Sequence, residues 1–194
     1  MPEFAEVIYN ITDCYVAALG SDNAYGTPAP VQYIGKCAYE TESDNDEIKS
    51  KGMIVERLAI PTKINGTINE ASLNWASASI LLGWQSTSSG DTPNRIVTLD
   101  HEMGDAGLPY FGLIAAYAAI NGANLIVGFC KAQLDTVPAF DVDQNTFRTA
   151  ETNFTAIVGS DTVRKAVRHR RYETVGGVPT TAGGFDTFFA GMFS

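Results

Sequence analysis

His101 and Glu102 stand side by side, the pairing that a metal centre or a proton shuttle would use. The chain holds only 2 histidines, and the other, His169, lies far away in sequence. A zinc site needs three or four protein ligands and would be short of donors here, so a turn histidine is the better reading. The run Asp141-Val142-Asp143-Gln144-Asn145 matches the first ligand positions of an EF-hand loop. Such a loop requires glycine at its sixth position and a bidentate glutamate at its twelfth. This chain has Thr146 and Thr152 there, so the Asp and Asn residues read as turn formers. The 3 cysteines, Cys14, Cys37 and Cys130, are scattered and form no CxxC pair, which predicts buried free thiols in a reducing compartment. No GxGxxG, Walker A or GxSxG motif occurs. The sequence therefore names no catalytic, cofactor-binding or metal-ligating residue and no cofactor, and it makes no positive case for an enzyme.

Charge narrows the partners. The formal net charge is −9 over 194 residues, which argues against a protein that grips phosphates. The charge is also segregated. Residues 1–160 hold 8 of the 13 basic and 19 of the 22 acidic residues, and residues 161–194 hold the other 5 and 3. The basic cluster Arg164, Lys165, Arg168, His169, Arg170 and Arg171 has two possible partners, nucleic acid or the acidic surface of a neighbouring subunit. Residues 40–47 (ETESDNDE) carry 5 acids in eight positions and read as a solvated loop tip or a contact loop. Pairing with a neighbour fits the segregation better. The opening MPEFAEVIYN carries acids where a secretory leader carries Lys or Arg, and no apolar run is long enough to span a bilayer, so no membrane partner is expected.

The elements that would position these groups are mostly strands. Residues 107–138 (GLPYFGLIAAYAAINGANLIVGFCKAQLDTVP) hold two apolar runs around Asn121-Gly122, a strong hairpin signal. Neither face of that ribbon suits water, so cover is needed on both sides, from the rest of the domain or from other copies of the chain. Sister copies are the expected source. Residues 4–19, 31–39, 53–64, 95–99 and 147–158 read as further strands, with Pro61 marking an edge or a bulge. Residues 20–30 and 85–94 read as loops. Residues 70–82 read as a helix packed through Ala71, Trp75, Ala78 and Leu82, with Gly83 just past its end. Residues 161–194 read as an arm ending in Phe185, Phe188, Phe189 and Met192, spaced i, i+3, i+4, i+7, which must dock on its own domain or on a neighbour. The expected fold is mainly β (α+β): one antiparallel domain over residues 1–160 with one flanking helix, followed by the arm.

In that order the pieces resemble a major tail protein, the tail tube protein of long-tailed bacteriophages. The resemblance rests on Leu19-Gly20-Ser21-Asp22 and Tyr25-Gly26-Thr27-Pro28 leading into a strand, and on a polar excursion at residues 40–51. It continues through a strand and helix ending in Leu81-Leu82-Gly83-Trp84, then Pro109-Tyr110-Phe111-Gly112-Leu113-Ile114 heading a long hairpin, then a Thr-rich strand at residues 147–158. It implies a β-sandwich whose long hairpin joins an intersubunit barrel. It implies hexameric rings, stacked into a tube with an acidic lumen that conducts genomic DNA during ejection without binding it specifically. Its partners would be other copies of itself and tail proteins such as the tape measure and tail terminator, in a virion tail assembled in the host cytoplasm. On this view deletion of residues 161–194 weakens ring stacking and leaves the fold intact. The alternatives are another virion structural protein (head decoration or tail completion) and a soluble enzyme whose site assembles in space.

Overall fold

The computed structural model describes residues 8–32, 34–50, 53–70, 74–100, 107–119, 123–137, 150–160, 164–172 and 177–193. The chain is mainly β and every strand pairing is antiparallel. The strands are β1 (Ile8–Ala18), β2 (Ala29–Pro30), β3 (Ile34–Ser50), β4 (Met53–Glu70), β5 (Gln85–Ser89), β6 (Ile96–Asp100), β7 (Phe111–Ala119), β8 (Asn124–Leu134), β9 (Ala150–Ile157) and β10 (Val167–Tyr172). Two short helices, α1 (Trp75–Leu82) and α2 (Ala182–Phe188), accompany them among the described residues. The main sheet runs β2-β1-β7-β8-β9-β4-β3, and β10 also pairs with β8. β9 meets β8 from Lys131↔Ile157 to Leu134↔Phe154, and β10 meets it from Val167↔Phe129 to Tyr172↔Asn124. The two short strands thus lie end to end along one edge of β8. The chain leaves that edge between them, and Cys130 N–H donating to the Ala166 carbonyl (3.1 Å) marks its return.

β7 and β8 show a two-residue alternation with both sides buried. Phe111, Leu113, Ala115, Val127 and Phe129 face one core, shared with Cys14, Val16, Cys37, Ile68 and Phe154 and covered by Ala78, Leu81 and Leu82 of α1. Ala29 of β2 and Cys37 of β3, the two ends of the strand order, enter this same core, so the open sheet curls around it. Tyr117 Oη donates to the Cys37 carbonyl (2.8 Å) across the curl. Ile114, Ala116, Ile126 and Cys130 face a second core with Ala17 and Tyr25, beneath Phe185, Phe188, Phe189 and Met192. On that side aromatic rings press against the strand backbone. A Cβ added at Gly128 would stand 2.4 Å from Phe188, and one at Gly112 would stand 2.4 Å from Tyr25. Only glycine permits the approach.

This corrects one expectation. The oily hairpin does not look to sister copies for shelter, because its own chain covers both faces and pairs all its edges: β7 lies between β1 and β8, and β8 between β7 and the β9–β10 line. The second cover comes from the C-terminal segment, whose i, i+3, i+4, i+7 apolar set folds back on its own domain. The choice of strands over a helix at residues 109–120 holds, with Ala118 paired to Asn124 and Ala119 N–H donating to the Ala123 carbonyl (2.9 Å). Asn121 and Gly122 lie outside the described residues.

Helix α1 starts later than expected. Asn74 caps it, accepting from Ala76 N–H (3.0 Å) and donating to the Pro30 carbonyl (2.6 Å). Gly83 ends it in the left-handed region at φ 71°, as its position in the sequence implies. The buried face is Ser77, Ala78, Leu81 and Leu82, while Trp75 is 50% exposed, so the stripe is rotated from the expected one. Ala71 lies outside the described residues. Residues 85–89, expected as loop, form β5 and pair with β6 as a separate hairpin, from Gln85↔Asp100 to Ser89↔Ile96.

The buried groups set a pH limit. The 3 cysteines are free and buried. Burial pushes the Cys130 thiol up from an ordinary 9.0 to about 11, and it raises Cys37 as well. Burial also raises the phenols of Tyr25 and Tyr117; Tyr25 Oη donates to the Cys130 carbonyl (2.5 Å). Groups raised in the folded state contribute stability that is fully present below their unfolded pKa and is lost as pH rises through the folded value. Stability should therefore hold up to about pH 9 and fall steadily between about pH 9 and 11. Urea midpoints measured across that window check this; a flat profile would contradict it.

Candidate functional site

The basic C-terminal cluster is largely committed within the chain. Along β10, alternate residues face opposite cores. Val167 packs toward the α1 side, and His169 on the same face meets Tyr39 Oη through Nε2 at 2.6 Å. Arg168 and Arg170 face α2. The Arg168 guanidinium donates to the Phe188 carbonyl and to the Ala190 carbonyl (2.9 Å), at the end of the helix where carbonyls lack partners. Arg170 lies 4.8 Å over the Phe188 ring. Thr181 caps the helix start, accepting from Gly184 N–H (3.1 Å), and Asp186 accepts from Tyr25 N–H (3.1 Å). The expectation that this cluster reaches a neighbour's acids or a nucleic acid is corrected for Arg168 and Arg170: they clamp α2 onto the sheet. The signal was present in the sequence as VRHRRY, an alternating strand whose charges hid its period.

The β3–β4 hairpin projects from the main sheet. Its strands pair from Ile34↔Glu70 to Ser50↔Met53. β9 borders β4 only from Ile64 to Glu70. Residues 41–50 and 53–63 therefore continue past the sheet as a two-stranded ribbon, with no strand beside either outer edge among the described residues. At roughly 3.3 Å per residue the projection is about 33 Å long. Residues 40–47, expected as a loop tip, are the shaft of a strand. Pro61 sits where the register skips from Glu42↔Lys63 to Ser43↔Pro61, an unpaired edge beside a bulge, as its type suggests. The extra residue, Thr62, donates through Oγ1 to the Glu42 carbonyl (3.3 Å). Lys63 Nζ and Asn65 Nδ2 both reach Glu42 Oε2 at 3.1 Å, and these hydrogen bonds hold the Glu42 carboxyl below its ordinary range.

The two strands of the ribbon differ in chemistry. β3 carries the acids Glu40, Glu42, Asp44, Asp46 and Glu47. In the register they stand opposite Asn65, Lys63, Ile60, Leu58 and Arg57 of β4, and the stretch Met53–Ile60 is apolar in sequence except for Glu56 and Arg57. A long, apolar, unpaired strand edge invites another strand, and proteins that do not use such an edge shorten it or cover it. At the foot of the ribbon the sheet's outer face is polar. Lys36, Glu40, Asn65, Thr67, Asp135 and Asn153 line a shallow depression, in which Thr67 Oγ1 donates to Asn153 Oδ1 (3.0 Å).

His101 and Glu102, and the Asp141, Asp143 and Asn145 run, lie outside the described residues. Among the described residues no group of three or more His, Cys, Asp or Glu could hold a metal ion, and no helix is long and apolar enough to cross a membrane. No family model matches the chain, and no curated protein matches it.

Proposed function

We propose that this chain is a structural subunit that works as a polymer: a tail tube protein of a long-tailed phage, forming closed rings that stack into a tube through which DNA passes. The observation that carries the reading is the β3–β4 ribbon, about 33 Å of paired backbone with no strand beside either outer edge among the described residues. A closed ring of such ribbons removes every free edge. The barrel-forming element is then β3–β4, and β7–β8 is the internal support. The edges also favour a head-to-tail ring over a two-fold pair. Two β3 edges meeting would set acids against acids, whereas β3 beside a neighbour's β4 sets them against apolar residues and Arg57. The net charge of −9 per copy suits a conduit for a polyanion, and the tape measure and tail terminator are the expected partners. The subunit turns over no substrate on this reading.

Negative-stain microscopy and sedimentation of the purified chain test it. Stacked tubes are the expected result. Isolated rings or trimers would favour a decoration or completion protein, and small monodisperse particles at high concentration would overturn polymer function.

A further inference from the structure

A cleft of about 480 Å³ opens where α2 meets the turn at residues 20–25. Buried Tyr25 and Phe189 and half-buried Phe193 line it, with the Tyr25 ring 5.3 Å from Phe189 and 5.9 Å from Phe193. Two exposed carboxylates, Asp22 and Asp186, line it as well. Asp22 Oδ1 accepts from Ala24 N–H (3.1 Å) and Asp186 Oδ1 accepts from Tyr25 N–H (3.1 Å). Each side chain is thereby held in place with Oδ2 left for another donor, and no basic residue is among those lining the cleft. Aromatic rings beside paired carboxylates suit a guanidinium, which forms in-plane hydrogen bonds to carboxylates and stacks on rings. Elsewhere, the β5–β6 hairpin stands apart from the main sheet. Every residue of β5 is exposed, and Ile96 and Val97 of β6 are 64% and 38% exposed. Successive residues of a strand face opposite ways, so the hairpin carries an apolar side chain on each face, next to the exposed Arg95. A lone two-stranded hairpin is marginally stable in water, and an apolar pair so placed calls for cover.

We propose that the cleft receives Arg95, Ile96 and Val97 of a second copy of this chain. The Arg95 guanidinium meets Asp22 and Asp186, and the apolar pair covers the rings. Charge and apolar surface match at once, which neither a simple cation nor a purely apolar segment would achieve. The contact is head-to-tail, so every copy both gives a hairpin and receives one. One cleft falls short of the area of a standard interface, so the contact fixes how two copies face each other rather than supplying most of their affinity. It requires that copies meet, but it requires no ring or tube, and it stands or falls apart from that reading.

Photocross-linking of the full chain at high concentration tests it, with a benzophenone side chain in place of Ile96. Irradiation is expected to give a product of twice the chain mass, cross-linked to residues 20–26 or 185–193 of the other copy when mapped by mass spectrometry. Asp22→Asn with Asp186→Asn keeps both Oδ1 acceptors and removes both charges, and it should cut that yield roughly fivefold. Arg95→Ala should do the same, and the chain carrying all three substitutions should lose no more than either variant alone, because both remove one interaction. Circular dichroism melts of each variant check that the fold is kept. Cross-links that map elsewhere, that stay within one copy or that do not form, or losses that multiply in the combined variant, would overturn the contact even where tubes assemble. Correctly mapped pairs from a chain that builds no tubes would leave the contact standing and overturn the tube reading alone.

Discussion

A chain ending at Tyr172 is expected to fail to hold its fold, and Phe189→Ala in the full chain is expected to lose about 3–5 kcal/mol. Phe185, Phe188, Phe189 and Met192 are at most 1% exposed, and they cover Ile114, Ala116, Ile126 and Cys130 on the two central strands. Each loss removes apolar contact and leaves a cavity that the flat strand surface beneath cannot fill. A whole domain is stable by only about 5–15 kcal/mol, so removal of all these side chains exceeds what it can absorb. Urea denaturation followed by near-ultraviolet circular dichroism measures both. A truncated chain melting with the full one would show that α2 is an appendage after all. This outcome reverses the expectation from sequence that residues 161–194 can be deleted without cost to the fold.

Excising the ribbon should do the opposite. Replacing residues 43–62 by Asn-Gly joins Glu42 to Lys63, a pair already opposed in the register, through the turn that suits a two-residue hairpin. Among the described side chains the core residues all lie elsewhere, so the shortened chain should keep its stability within about 1 kcal/mol. Polymerisation should disappear, with a single slow boundary in sedimentation velocity at concentrations where the full chain forms tubes. Rings or tubes from the shortened chain would remove the ribbon from the proposed function. The two variants form a crossed pair: one loses the fold, the other loses the assembly, and neither effect can be mistaken for the other.

Much of the architecture was legible where a local rule decides. The apolar runs at β7 and β8, the helix-ending Gly83, the buried cysteines and Pro61 at an edge bulge each follow from a residue's own chemistry. What was not legible depends on partners distant in sequence. An apolar set at residues 185–192 announces that it must be covered, but its spacing is the same whether the surface it meets belongs to its own chain or to another. β10 was hidden because arginines at alternate positions read as a basic cluster reaching for a neighbour or a nucleic acid until a ring and helix-end carbonyls are found beneath them. The ribbon was missed for a related reason: five acids in eight residues suggest a loop, since what sustains them as a strand is cross-strand pairing to an apolar partner strand.

The end-to-end arrangement of β9 and β10 has a consequence for synthesis on the ribosome. β4 is anchored by β9, β9 and β10 both complete the edge of β8, and α2 follows last of all. The β3–β4 hairpin is translated early, while β9, the strand beside its base, arrives in the final quarter of the chain. A product terminated before β9 therefore carries the β3–β4 ribbon without the strand that borders its base.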